Sequence, residues 1–203
     1  MTLKVYGYAA SRAVRTIWMC EELGIAYEHI KTTTSDGGAR TPAYLKINPA
    51  GHIPAIDDDG FALSESMAIN LYLAKKHGKL FPGDAHGEAK AWQWSFWVMA
   101  ELDPPVVLWI KNSMLLPPEA RDVKVAREAR EAMEWPLQVL DDELGKRQYL
   151  VDPNAFTVAD LNVASVLYRL LFVDLTGKPH LAAWLKRCWD RPAAKKARAL
   201  RES

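Results

Sequence analysis

A pattern confined to the first thirty residues limits what this chain can become. Leu3 to Gly7 alternates apolar and polar residues, the period of a strand. After Tyr8-Ala9-Ala10-Ser11 the apolar positions move to Val14, Ile17, Trp18 and Leu23, the spacing of one helix face. Gly24 suits the left-handed residue that closes such a helix. Ile25 to Ile30 then reads as a second strand. Strand, helix and strand over so short a length predict two parallel strands joined by a right-handed crossover.

The next stretch extends that unit. Thr32 to Arg40 is a polar loop, Pro42 to Ile47 a short helix, and Asn48-Pro49-Ala50-Gly51 a turn. Ile53-Pro54-Ala55-Ile56 and Phe61-Ala62-Leu63 are short strands joined through Asp57-Asp58-Asp59-Gly60, which predicts an antiparallel hairpin. Ser64 to Lys76 has helical spacing and ends at His77-Gly78. Beyond the breaker run Gly78 to Asp84 the strand signals stop. Helices are expected over Glu88 to Met114 (broken or kinked at Pro104-Pro105), over Pro118 to Leu144 with a bend at Pro136, and after Thr157. In that third helix Leu161, Ala164, Tyr168 and Leu171 share a face. A last helix is expected from Pro179 through Trp189, with Pro192 punctuating the tail. The result is an α/β domain over residues 1–81 followed by an all-α domain over 87–203, which excludes a barrel of alternating strands and helices and an all-β fold.

Composition narrows the functional classes. Of 203 residues 49% are hydrophobic and 25% charged, enough apolar material for a core and too much for a disordered chain. With 26 Lys and Arg against 25 Asp and Glu, no basic surplus points to nucleic acid or to an anionic membrane. No apolar run reaches the ~18 residues of a membrane-spanning helix. Met1 to Tyr6 lacks the apolar stretch of a signal peptide, and Cys20 and Cys188 are too few for a metal cluster or a disulfide framework. The expectation is a soluble cytoplasmic protein without metal.

Three short segments have the residue types for chemistry. Ser11 stands between the first strand and the next helix. It can serve as a helix cap, and the same geometry lets its hydroxyl donate to an anion beside the helix start. A thiol of pKa ~8.5 is mostly protonated at neutral pH, and lowering it two units takes about 2.7 kcal/mol. One charge-assisted hydrogen bond plus a helix dipole is of that order. At His52-Ile53-Pro54, Pro54 can be an ordinary edge-strand residue with a trans bond, the commoner state, or a cis residue at a turn that leaves the Ile53 N–H and C=O open to an extended peptide. Ser64-Glu65-Ser66 opens a helix. Ser64 as cap and Glu65 as first-turn charge suffice structurally. A ligand reading has the Ser66 N–H and hydroxyl hold a carboxylate while Glu65 holds an ammonium, as the two ends of a free α-amino acid require.

Taken in order, Ser11 to Arg15, Ile47 to Pro54, Ser64 to Ile69 and Phe156-Thr157-Val158-Ala159-Asp160 resemble the motifs of the cytosolic glutathione S-transferases over nearly the whole chain. More narrowly they are similar to its bacterial, serine-type, theta-like members. The resemblance implies a thioredoxin-like first domain that binds glutathione and a helical second domain lining an electrophile pocket. It implies conjugation of glutathione to small apolar electrophiles, with glutathione as co-substrate and no prosthetic group. It implies that Ser11 holds the sulfur as thiolate, that Ile53 pairs with the cysteinyl backbone beside a cis Pro54, and that Glu65 and Ser66 hold the γ-glutamyl end. His52, Arg40 and Arg12 become candidates for the remaining contacts of the tripeptide, and Arg15 becomes a structural partner. Thr157 and Asp160 form a helix-capping box, with Phe156 as its staple. Trp97, Trp109 and Tyr168 are candidates to face the apolar co-substrate, and a homodimer is expected. Tyr6 and Tyr8 stay open as rival thiol donors. An isomerase, peroxidase or dehalogenase on the same fold, or a non-catalytic binding protein, also stays open. Ala9-Ala10-Ser11 lacks the Ser-Ser-Cys run of the isomerases.

Overall fold

The computed structural model describes residues 2–202. They divide into two compact units, Met1–Phe81 with Asp190–Ser203, and Pro82–Trp189. The expected second domain ran on to residue 203, but the last helix belongs to the first unit.

In the first unit β1 (Leu3–Tyr6), α1 (Ala13–Leu23) and β2 (Tyr27–Ile30) form the βαβ unit, with β1 and β2 parallel. A 3-10 turn at Gly38–Arg40 and the short α2 (Pro42–Leu45) lead to β3 (Ala55–Asp58), β4 (Phe61–Ser64) and α3 (Ser66–His77). The sheet order is β2-β1-β3-β4, with β3 antiparallel to both neighbours. Asp59 and Gly60 both have positive φ, 53° and 90°, the two-residue turn whose twist matches a hairpin. Along β1 the alternation decides the layers. Leu3 and Val5 are buried, and Val5 joins Ile17, Trp18, Ile56, Ile69 and Leu73 in a core from which water is excluded. Tyr6 points to the other side, where it packs with Ile47 and Ile53 on Ala39, Tyr44 and Ala55. Gly24 at φ 68° and Gly78 at φ 62° close α1 and α3 in the left-handed conformation.

The second unit is helical: α4 (Ala85–Glu101), α5 (Asp103–Ile110), α6 (Val123–Leu144), α7 (Val158–Val166) and α8 (Pro179–Trp189). The helix expected to Met114 is two. Its prolines fall in the first turn of α5, where a missing N–H costs nothing, and a π-turn follows at Lys111–Leu115. The helix expected from Pro118 starts only at Val123, because Asp122 accepts from the Lys124 and Val125 N–H groups and caps it there. Pro136 lies inside α6. α7 stops at Val166 and tightens into a 3-10 segment, Leu167–Phe172, so Tyr168 and Leu171 leave the expected α-helical face. Residues 192–202, where a tail is expected, form α9 (Pro192–Glu202) of the first unit. Pro192 opens that helix rather than ending one.

Candidate functional site

Gly7 is the point where the first unit's site segments meet. Its φ is +137°. A Cβ there would lie 2.7 Å from Ala13 Cβ, 3.5 Å from Ile53 Cβ and 3.8 Å from Pro54 Cα. Only glycine lets the start of α1 approach the Ile53–Pro54 bond this closely. That bond is cis. Ile53 and Pro54 precede β3 instead of opening it, since the ladder begins at Ala55 opposite Tyr6. Among the described residues neither the Ile53 N–H nor its C=O has a hydrogen-bonding partner.

Ser11 sits in the turn before α1, half-buried. Its Oγ accepts the Ala13 N–H at 3.1 Å and its proton goes to the Tyr8 carbonyl at 2.6 Å. The Ser11 N–H donates to the same carbonyl at 3.0 Å. The first turn of α1 has no acidic residue, so nothing in it neutralises the positive end of the helix. Arg12 beside it is exposed. Tyr6 packs edge-on against Tyr44 at 5.7 Å, and burial, ahead of its charged neighbours, pushes its hydroxyl pKa up. Cys20 is buried in α1 with its thiol pushed up to about 12, mainly by desolvation, and stays a neutral apolar filler.

The start of α3 departs from the expected capping. Ser64 is spent as the last residue of β4, paired with Ala55. Glu65 becomes the cap, with φ 69° and ψ 110° and no capping bond from its side chain. A non-glycine residue in that conformation is strained by about 1–3 kcal/mol, and its carboxylate is exposed to solvent. Ser66 behind it is buried, and its Oγ accepts from Arg15 Nη1 at 3.4 Å. Asn70 Nδ2 donates to the Arg15 carbonyl at 3.3 Å, which ties α1 to α3 beneath the site.

The turn before Ile53 is braced from several sides. The His52 carbonyl accepts from Tyr44 Oη at 2.5 Å and from Asn48 Nδ2 at 2.8 Å, while Asn48 Oδ1 accepts the Ala50 N–H. The His52 ring is left in solvent. Arg40 Nη1 donates to the Ala50 carbonyl at 3.2 Å, and a Cβ on Gly51 (φ 63°) would lie 2.6 Å from that nitrogen. Arg40 and His52 therefore flank one turn, which is not evident from residues twelve apart in sequence.

Thr157 and Asp160 lie in the second unit. Asp160 is fully buried and accepts four hydrogen bonds: from the Thr157 N–H and hydroxyl, the Leu150 N–H and Trp184 Nε1, at 2.9–3.0 Å. Burial is the largest influence on this carboxyl and pushes its pKa up, with the four donors opposing it. Tyr168, packed on Trp189 at 5.0 Å and on Phe172 at 5.6 Å, is 4% exposed and faces the helical core. Trp97 and Trp109 are half-buried.

A strand-and-helix unit followed by a helical unit is the arrangement that comparison with known proteins identifies. A model of the glutathione S-transferase N-terminal domain matches residues 1–75, and one of the C-terminal domain matches 105–192. Glutathione S-transferase 4 of Zea mays is 30% identical over 204 residues, covering 96% of this chain and 91% of its own. The chain belongs to the glutathione S-transferase family. Escherichia coli glutathione S-transferase GstB is 30% identical over 182 residues, covering 87% of each chain. Among solved structures, glutathione S-transferase-I bound with lactoylglutathione superposes with a TM-score of 0.89 at 28% identity, covering 98% of this chain and 100% of the other. The theta-class glutathione S-transferase of Xanthomonas axonopodis pv. citri, with glutathione bound, has a TM-score of 0.88 at 28% identity and covers 97% and 96%. Similar identities thus run across plant and bacterial transferases, and they single out no theta-like bacterial subtype.

Two positions escaped the sequence reading of this glutathione S-transferase chain. Gly7 had a signal, a glycine at a strand end, but its reason is tertiary. Arg201 had none. It lies on α9, and its Nη1 reaches the Ser11 carbonyl at 3.1 Å. Among the described residues no helix is long and apolar enough to cross a membrane.

Proposed function

We propose that this transferase lays glutathione along its first unit, ionises the thiol beside Ser11 and directs it at small apolar electrophiles. The observation that carries the reading is the open Ile53 N–H and C=O set against the start of α1. An extended peptide pairing there has its cysteinyl side chain next to Ser11.

Each role follows from spare bonding capacity. The one proton on Ser11 Oγ turns from the Tyr8 carbonyl to the sulfur. That carbonyl keeps the Ser11 N–H, so the turn leaves no buried acceptor orphaned. The Ala13 N–H still donates to Ser11 Oγ and polarises the hydroxyl towards the thiolate. At α3, the free N–H groups of the first turn and the Ser66 hydroxyl receive the γ-glutamyl carboxylate. Arg15 donates to Ser66 Oγ, which leaves the serine proton for the ligand. The strained conformation presents the Glu65 carboxylate to the ammonium. Arg40 and His52 flank the turn where the glycyl carboxylate ends, and Arg12 adds positive charge beside the sulfur. The thiol proton passes to solvent, the thiolate forms a bond to the electrophilic carbon, and the leaving group departs with its electron pair. Half-buried Trp97 and Trp109 supply apolar surface of the kind such a co-substrate needs.

Trp92 and Phe96, one turn apart on α4, are 44% and 67% exposed, and this apolar pair supports a homodimer. Two buried free cysteines suit the reducing cytoplasm. The test is calorimetry with reduced glutathione on Glu65→Ala/Ser66→Ala. Affinity is expected to fall about tenfold or more with the fold intact, and unchanged affinity removes the anchor at α3.

A further inference from the structure

We infer that Arg201 on α9 is a positioning residue for thiol activation, holding the Ser11 turn and lending it positive charge. The inference rests on the Ser11 reading above.

α9 packs along α1 in the first unit, and charged side chains bind the two helices at both ends. At one end Arg191 makes a two-pronged contact with Glu22, Nε to Oε1 and Nη2 to Oε2, both 2.7 Å. Trp18 Nε1 donates to the same carboxylate at 3.0 Å. Midway, Lys196 lies 3.4 Å from Glu21. These contacts dock the helix. The other end is different in kind. Arg201 donates to a backbone carbonyl, that of Ser11 itself, in a half-buried position. That carbonyl also accepts the Val14 N–H at 3.3 Å as part of the turn into α1. On the opposite flank the His29 ring nitrogen lies 2.7 Å from the Gly7 carbonyl. The turn that bears Ser11 is thus gripped from outside at both its ends.

Two consequences follow. A pinned Ser11 backbone limits where its Oγ can swing when it leaves the Tyr8 carbonyl, so the proton is aimed rather than free to rotate. A guanidinium bonded to the Ser11 carbonyl also adds positive charge to the turn, which favours a thiolate beside it. Other charged groups around the turn are Arg12 just ahead of α1 and Arg15 on it, His29 on β2, Glu65 ahead of α3, Arg40 and His52 at the neighbouring turn, and Arg198, paired with Glu202 at 2.8 Å on α9. Among these groups Arg201 is the one whose side chain donates to the Ser11 carbonyl, while the His29 ring lies against Gly7.

The experiment is the pH profile of kcat/KM with a nitro-activated aryl halide for the full chain and for Arg201→Gln, Arg201→Lys, Arg191→Gln, Ser11→Ala and Ser11→Ala/Arg201→Gln. Arg201→Gln is expected to raise the thiol pKa by about half a unit and lower kcat/KM near pH 6 about threefold, with KM for glutathione within about twofold. Arg201→Lys should restore part of the profile. Arg191→Gln, which loosens the same helix at its far end, should lower the melting temperature without moving the profile. In the Ser11→Ala background the Arg201 change should lose the share that acts through the serine hydroxyl and keep only the smaller share its charge exerts directly. An unmoved profile in Arg201→Gln, or an undiminished effect without Ser11, overturns this inference alone. An unmoved profile in Ser11→Ala overturns the serine reading, and this inference with it.

Discussion

The starts of α7 and of α1 use the same residue types to opposite ends. At α7 the Thr157 hydroxyl and the Asp160 carboxylate are fully buried and fully occupied: four donors fill the carboxylate. At α1 the Ser11 hydroxyl is half-buried, and the carbonyl it donates to already has another donor. α3 goes further, with a strained, exposed Glu65 in front of a buried Ser66. A saturated helix start gives stability and can accept nothing more. A start with a spare proton, unpaired N–H groups or a strained cap has bonding capacity left for a ligand.

Asp160→Ala should break this contrast most severely. It strands three N–H donors and a hydroxyl in the core, with an expected loss of about 4 kcal/mol of unfolding free energy, read from urea melts. Glutathione affinity of the remaining folded protein should hold. A loss under about 1 kcal/mol would mean the four bonds are not a coupled network. Ser11→Ala is the mirror image: kcat down by about ten- to a hundredfold with only about 1 kcal/mol of unfolding free energy lost. If instead stability falls and turnover holds, Ser11 is only a cap. Glu65→Gly sharpens the third case. Glycine takes φ 69° freely, so stability should rise by about 1 kcal/mol even after its entropic cost, while glutathione binding weakens. A destabilised variant would show that the conformation carries no strain.

The smallest effect lies away from any helix start. Asp58 on β3 is buried, which by itself raises its pKa, but Lys76 at 2.5 Å and Tyr72 at 2.6 Å more than reverse this and hold it below the usual carboxylate range. Its folded pKa being depressed, the stabilisation is present above the ordinary aspartate pKa and is lost as pH falls through the folded value. Asp58→Asn should therefore cost about 1 kcal/mol at neutral pH, Lys76 being partly exposed, and the difference from the parent chain should close in acid.

Much of this was legible in sequence because it is local. The βαβ unit, the Asp59-Gly60 hairpin, and the glycine stops at Gly24 and Gly78 each follow from a few neighbouring residues. The motif order from Ser11 to Asp160 then pointed to the family. What escaped is tertiary. Ser64 reads as a cap until its pairing with Ala55 is known, and that pairing moves the cap to Glu65. Arg40 joins the turn at Ala50 only through folding. Residues 192–202 have too few apolar positions to reveal a docked helix, and their attachment to α1 depends on ion pairs across 169 residues of chain. Nothing in a sequence links Arg201 to Ser11.

The most direct test of spare capacity beside Ser11 is the number of protons released when reduced glutathione binds, from calorimetry near pH 7 in buffers of different ionisation heat. The parent chain should release close to one proton per site and Ser11→Ala far less, at an affinity within a few fold. Equal proton release from both, or no release from either, would contradict the account.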